Sequence, residues 1–315
     1  MKIAVSACLL GEKVRFDGGH KHDRFITDEL GKYASFAPFC PEIIAFGVPR
    51  PSIRLVNKED SYRIISNKNG DDLTNELQDK SYQEFRKIVQ NDLSGIIFKS
   101  KSPSCGMGSA KAYLENGFAD SKADGLFVTI CKEKFPLLPM EEEGRLQDDW
   151  LRENFIMQLF AYNSFEVLKK SNPTIKMVVD FHTKNKFLLQ AKDEKIYRVL
   201  GNIVGNHEKL PFDELLSNYE YNFKVAISKK SSIGRNRNVL EHMSGFFKNE
   251  LSSVEKETLH EQIEEYAQKI VPIVVPLSTI KLYAKKYNTS YLLGQAFLDP
   301  YPKELALRSS LLSSK

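Results

Sequence analysis

The chain opens on a nearly unbroken apolar run and then changes rhythm twice. Ile3 to Leu10 is almost continuously nonpolar, the pattern of a strand buried in a parallel sheet. Ser35 to Phe39 reads as a weaker strand that ends at Cys40, Gly95 to Phe98 as a third and Leu126 to Thr129 as a fourth. Between them, Leu73, Leu77, Phe85, Ile88 and Val89 recur at helical spacing and predict a helix from Leu73 to Val89. Strands alternating with helices predict an α/β domain with a mainly parallel sheet.

A change of element falls in Phe135 to Leu146, where two prolines, a glycine and an acidic run interrupt the pattern. Beyond it the periodicity is helical. Apolar residues three and four apart predict helices over Asp148 to Phe160, Lys176 to Gln190, Ile196 to Val204, Asp213 to Ile227, Arg237 to Lys248, Lys256 to Val271 and Leu277 to Tyr287. Val271 to Pro276 breaks the series, since proline disfavours helix at the residue before it. The expected organisation is an α/β domain over residues 1–145 followed by an all-α domain over 146–315. A length of 315 residues accords with two domains.

Composition narrows the class without changing it. The chain is 42% hydrophobic and 27% charged, as in ordinary soluble proteins. Its longest apolar runs are far too short to span a membrane. The N-terminus begins directly on a strand-like Lys2-Ile-Ala-Val, so no leader and a cytoplasmic location are expected. Charge is uneven. Residues 1–150 hold 21 Lys+Arg against 23 Asp+Glu, a net of −2, which leaves 24 against 18 and a net of +6 for residues 151–315. That mild excess falls short of the dense basic face of a nucleic-acid binder. Lys229 to Arg237 carries four basic residues in what reads as a loop, either solvated or, on a sharper reading, contacting phosphate. RNA as a partner has no other support. His182 and His242 stand alone on helical patterns, where histidine is more often structural than catalytic.

The four cysteines all lie in the first half. Cys8, Cys40 and Cys105 each follow an apolar run, and parallel strands would bring all three to the carboxyl edge of the sheet, where open α/β sheets place ligands. No Cys-x-x-Cys pair is present, which disfavours structural zinc. Three thiolates fit a 4Fe-4S cluster with one iron left open, although four cysteines are the usual set. Small buried core cysteines fit the spacing equally well. The surroundings shift the balance. Gly18-Gly19 follows Cys8, Pro41-Glu42 follows Cys40, and Ser100, Ser102, Ser104, Lys99 and Lys101 precede Cys105. Hydroxyls there would bond sulfide or substrate, and the lysines would offset negative charge.

The stretches Ser6-Ala-Cys-Leu-Leu-Gly, Val14-Arg-Phe-Asp-Gly-Gly-His, Cys40-Pro-Glu, Val48-Pro-Arg-Pro and Lys99-Ser-Lys-Ser-Pro-Ser-Cys-Gly resemble the YbbK-like, or thiouracil desulfurase, family. The resemblance covers nearly all of residues 1–145. It implies an oxygen-sensitive 4Fe-4S cluster held by three cysteines, which match Cys8, Cys40 and Cys105 here. Cys131 lies outside those motifs and reads as a core residue. Residues 150–315 resemble the YbgA-like domain, through Asp180-Phe-His-Thr-Lys-Asn-Lys-Phe-Leu-Leu, Tyr197-Arg-Val-Leu-Gly, Asn238-Val-Leu-Glu-His-Met-Ser-Gly-Phe-Phe-Lys, Val275-Pro-Leu and Asp299-Pro-Tyr-Pro. That likeness implies helices and no particular activity.

The chemistry this implies is non-redox desulfuration of a thiolated pyrimidine such as 2-thiouracil. A soft thiocarbonyl sulfur suits an open iron, water attacks the carbon, and the sulfur is released as hydrogen sulfide. The substrate is expected to be a small thiolated nucleobase or nucleotide. Glu42, two residues from a proposed ligand, is the first choice for the base, and Asp17 the second, although Asp before Gly-Gly is a natural turn former. Ser102 or Ser104 would bond the substrate or the departing sulfur. Two other readings stand beside it: an iron–sulfur sensor whose basic helical domain binds nucleic acid, and a dehydratase on the same cluster. Three ligands plus Glu42 favour the desulfurase.

Overall fold

The computed structural model describes residues 1–58, 61–205, 209–310 and 312. They form two compact units, Met1–Gln147 and Asp148–Lys315.

The first unit is built on a four-stranded parallel sheet in the order β2-β1-β5-β8, with β1 at Lys2–Ser6, β2 at Ser35–Phe39, β5 at Gly95–Phe98 and β8 at Met140–Glu142. Ile3 to Val5 of β1 and Ile96 to Phe98 of β5 are fully buried, which is why these strands read as continuous apolar runs. Phe39, Phe98 and Phe127 pack ring against ring at 5.0–6.3 Å beside them. The expected fold class is the one observed: a mainly parallel sheet first, helices after it.

Three local readings of this unit need correction. The run Ile3 to Leu10 is two elements: β1 ends at Ser6, and Ala7–Leu10 curls into a 3-10 turn closed by Gly11 at φ +93°. Both pieces are buried, so the apolar run could not show the break. Leu126 to Thr129 is no strand but the start of helix α3, Leu126–Lys134. Short apolar runs are ambiguous between helix and strand. A second sheet, unanticipated, has the order β4-β3-β6-β7, with β3 at Ile53–Lys58, β4 at Ser61–Ser66, β6 at Ala110–Leu114 and β7 at Ala119–Ala123. Its core is small, with Ile53, Leu55, Ile64, Ala110 and Ala112 packed against Leu77 of helix α2, Thr74–Val89. Four of the five residues of β7 are exposed, so no apolar pattern marks that strand.

The second unit is helical: α4 (Asp149–Lys170), α5 (Ile175–Lys192), α6 (Glu194–Gly205), α7 (Phe212–Ser228), α8 (Ile233–Ser244), α9 (Ser253–Ala267), α10 (Val274–Lys286) and the short α11 (Ser290–Leu293). Phe165, Phe181, Tyr219 and Phe223 form its aromatic centre, with centroids 5.1–6.4 Å apart. None of the described helices is long and apolar enough to cross a membrane. Helix α10 starts before Pro276, which sits in the first turn, where proline costs no hydrogen bond. The basic run Lys229 to Arg237 is only partly a loop. Ser232 caps α8 by accepting the Arg235 N–H, and the Arg235 guanidinium donates to the Lys192 carbonyl. Arg237 pairs with Glu241 and Glu264, and the Lys230 ammonium lies over the Trp150 ring. Three of the four cations of the segment, Lys230, Arg235 and Arg237, thus have contacts inside the unit. His182 is a packed residue: it stacks on Tyr197, bonds the Tyr219 hydroxyl at 3.3 Å, and burial holds its pKa down to about 4. His242 is exposed on α8.

Two buried polar groups set the stability of this unit. Arg308 donates to Glu153 at 3.0 Å and to the Phe297 carbonyl at 2.6 Å, and the Tyr301 hydroxyl donates to the same Glu153 oxygen at 3.2 Å. Arg308→Ala leaves the Glu153 carboxylate buried without its cation and is expected to cost about 3–5 kcal/mol in denaturant unfolding. Lys192 is fully buried, its ammonium donating to Asn154 Oδ1 at 2.7 Å, and burial lowers its pKa to about 8. A lysine whose folded pKa lies below its unfolded value penalises folding below the folded pKa, and the penalty fades as pH rises from about 8 to 10.5. Lys192→Met, which leaves Asn154 Oδ1 bonded by the Ser231 N–H at 2.9 Å, is therefore expected to gain stability over wild type at pH 7. Urea titrations should show the gap closing as pH is raised across that window.

Candidate functional site

The parallel strand register builds the site. Ser6 lies opposite Phe39 and Val5 opposite Ile97, so the turns after β1, β2 and β5 leave the sheet at one edge. Cys8 sits in the 3-10 turn after β1. Cys40 directly follows β2 and precedes helix α1, Pro41–Phe46. Cys105 lies in the loop after β5. All three line one small cavity of about 40 Å³, together with Arg15, Glu42, Arg50, Lys99 and Ser102. Cys131 is buried in α3 and lines no part of it.

The thiols are largely dehydrated, and that sets their chemistry. Burial pushes the Cys8 thiol up to about 12, with Cys40 adding to the effect. Cys40 is raised to about 11 by burial and the nearby Glu42 carboxylate. Cys105 is raised as well, again by burial and then Glu42. Dehydration thus favours the neutral thiol at all three positions. Among the described residues no three His, Cys, Asp or Glu side chains stand close enough to hold a single metal ion.

Glu42 joins three of the side chains at the site. One oxygen pairs with Arg50, and both side chains are almost fully buried. Its other oxygen accepts from the Ser102 hydroxyl at 3.1 Å and from the Ser104 hydroxyl. Arg50 also donates to the Val14 carbonyl at 3.3 Å. Ser102 accepts the N–H groups of Ser104 and Cys105, each at 3.2 Å, and so shapes the cysteine loop. Glu42, Ser102 and Ser104 are thus brought together. Asp17 is not. It is exposed, lines neither this cavity nor the larger cleft beside it, and accepts from Gly19 N–H at 3.0 Å and from Arg15.

Other contributors were not evident from the sequence. Phe98 lies opposite Glu142, which brings the acidic end of β8 against the loop after β5. Glu143 there accepts from the Ser100 N–H, from the Ser100 hydroxyl at 2.8 Å and from the Lys99 ammonium. Glu142 accepts from the Met107 N–H at 3.0 Å and the Ser109 hydroxyl. In the sequence these carboxylates read only as punctuation. Arg50 did have a signal, since it is the central residue of the Val48-Pro-Arg-Pro motif. Helix α3 braces the loop from the far side, its Leu126 and Phe127 N–H groups donating to the Pro103 and Ser104 carbonyls at 3.1 and 2.9 Å.

A larger cleft of about 820 Å³ shares Arg15, Glu42, Arg50, Lys99 and Ser102 with the cysteine cavity. The second sheet supplies its outer wall, with Arg54, Lys111 and Tyr113. Among the described residues Glu42 is the only carboxylate in the lining, beside seven Lys and Arg side chains.

A three-cysteine cavity at the carboxyl edge of a parallel sheet, followed by a helical unit, defines the class of protein. Residues 3–143 match the family model described as 2-thiouracil desulfurase, and residues 186–302 that of a protein family of unknown function, DUF1722. YbbK of Bacillus subtilis (strain 168) is 30% identical over 157 residues, 46% of this chain and 98% of that protein. YbgA of Escherichia coli (strain K12) is 28% identical over 159 residues, 50% of this chain and 94% of that protein. A solved [4Fe-4S]-dependent thiouracil desulfidase, TudS, is 27% identical, with 46% of this chain and 93% of that one covered and a TM-score of 0.38. The chain belongs to the 2-thiouracil desulfurase family through its first unit and carries a YbgA-like DUF1722 region in its second.

The brace by α3 depends on one position. A Cβ at Gly125 would meet the Ser104 carbonyl carbon at 2.4 Å and the Cys105 nitrogen at 2.8 Å. Gly125→Ala forces the cysteine loop off the helix and is expected to cost about 1–3 kcal/mol, read by chemical denaturation.

Proposed function

We propose that the first unit is a desulfurase that exchanges the sulfur of a thiolated pyrimidine for oxygen, using a 4Fe-4S cluster held by Cys8, Cys40 and Cys105. The observation that carries this reading is that three thiols from three separate turns share one cavity with a buried carboxylate. The donor set fits the cluster: soft sulfur ligands, no fourth cysteine in the lining, and the cations Arg15, Arg50 and Lys99 around it to balance negative charge. When bound, such a cluster supplies a thiophilic Lewis acid at the iron that no cysteine holds.

The chain's own residues account for the proton chemistry. Glu42 is the base. It accepts a proton from the water that adds to the thiocarbonyl carbon and returns it to the leaving sulfur. Both hydrogens of water end on sulfur, the oxygen stays on the ring, and no electron is gained or lost. Ser102 and Ser104 already point hydroxyls at Glu42, and either one can turn to relay the proton or to bond the departing sulfide. Arg50 fixes the carboxylate, so that the base is already oriented when water and substrate arrive. Asp17, engaged at an exposed turn, acts in neither step. The cationic lining of the large cleft favours an anionic substrate, a thiolated pyrimidine nucleotide over the free base.

Anaerobic reconstitution with iron and sulfide, an iron count, and an assay of sulfide release from 2-thiouracil test the proposal together. Wild type is expected to hold about four irons per chain and to release sulfide, and Cys105→Ala to lose both. Glu42→Gln, compared with wild type per bound iron, is expected to lose about 10²–10⁴ in kcat. Sulfide release that survives Cys105→Ala, or a wild-type chain that takes up no iron, would remove the proposal.

A further inference from the structure

Phe16 is an aromatic side chain left half in solvent. It is 49% exposed, and it lines the large cleft beside the cysteine cavity. The loop that carries it is closed on itself. The Arg15 N–H donates to the Gly19 carbonyl at 3.3 Å, and the Gly18 N–H to the Arg15 carbonyl at 3.0 Å. Asp17 locks the turn by holding the Gly19 N–H and the Arg15 side chain at once. Gly18 sits at φ +71°, a conformation that favours glycine. The Arg15 guanidinium lies 5.6 Å from the Phe16 ring centroid, and the same arginine lines the cysteine cavity. The ring is therefore adjacent in sequence and in space to a group that touches both cavities.

Exposure of this kind costs burial that the fold gains nothing from, and the turn spends an ion pair and three hydrogen bonds to keep the ring there. A flat apolar face in a cationic cleft suits one kind of ligand part: a heteroaromatic ring, which stacks on it while charged groups take any phosphate. We infer that Phe16 is the platform on which the pyrimidine ring of the substrate stacks. Asp17 is a positioning residue that holds the platform. Tyr113, the other aromatic residue of the lining, is half-buried in β6. The identity of the ring rests on the desulfurase reading, while the stacking contact itself can be measured without turnover.

Equilibrium dialysis of the reconstituted full chain tests it, every protein carrying Glu42→Gln so that ligand is not consumed, with 2-thiouracil and with thiourea, which carries the same thiocarbonyl on no aromatic ring. Phe16→Ala is expected to weaken 2-thiouracil binding about 5- to 100-fold and to leave thiourea binding within about twofold, with unchanged iron per chain. Phe16→Tyr is expected to restore the affinity. Equal affinity for 2-thiouracil with and without Phe16→Ala overturns the inference, as does a loss mirrored in thiourea, a failure of Phe16→Tyr to restore binding, or no saturable binding with Phe16 in place. A chain that binds 2-thiouracil through Phe16 but, with Glu42 intact, releases no sulfide would sink the desulfurase reading and leave the platform standing.

Discussion

Three turns that are far apart in the chain have to be held together at one sheet edge, and the Glu42 carboxylate does most of that holding. Through Arg50 it reaches the Val14 carbonyl and so the segment after Cys8. Through the Ser102 and Ser104 hydroxyls it reaches the loop of Cys105. Glu42 itself belongs to the helix that Cys40 begins. A buried carboxylate is costly unless every lone pair is used, and here the cation and two hydroxyls use them. The same bonding places this carboxylate of the cleft beside the cysteines, so the structural brace and the proposed base are a single residue.

Around this centre the braces are nearly all polar groups that a parallel sheet leaves unpaired at its edge. The acids at the end of β8 take the N–H groups and hydroxyls of the β5 loop, and α3 offers its first N–H groups to the carbonyls on the loop's other side. Backbone groups at the ends of strands and helices need partners, and here those partners also define where Cys105 stands. The cysteines are positioned by the hydrogen-bonded frame on which the loops are strung.

The helical unit is arranged by different means. Its centre is aromatic, and two of its buried cations are ion-paired, Arg308 with Glu153 and Lys224 with Glu166 and Glu220, whereas Lys192 meets the neutral Asn154. Of the Lys229 to Arg237 segment, Arg235 bonds a helix-end carbonyl, Arg237 bridges to Glu264 and Lys230 lies over Trp150. A basic excess counted along the chain is therefore a poor guide to a binding face here, because several of those charges have structural work to do.

What the sequence by itself determined was the order of the main elements and the positions of the chemistry. The continuous apolar runs of β1 and β5 and the helical spacing of α2 and α4 to α10 were legible, because hydrophobic burial follows the period of the element. Cys8, Cys40 and Cys105 were legible as residues at strand ends for the same reason, and Asp17 as a turn former from its two glycines. Other features came only with the tertiary structure. The second sheet has too few buried side chains to mark its strands, and the helix at Leu126 shares its apolar run with any strand. The acids of β8 and Gly125 join the site only because the register of the sheet and the packing of α3 bring them within bonding distance of a loop tens of residues away. Periodicity reports which way a side chain faces, whereas a hydrogen-bonded frame depends on distances between segments, and those exist only once the chain has folded.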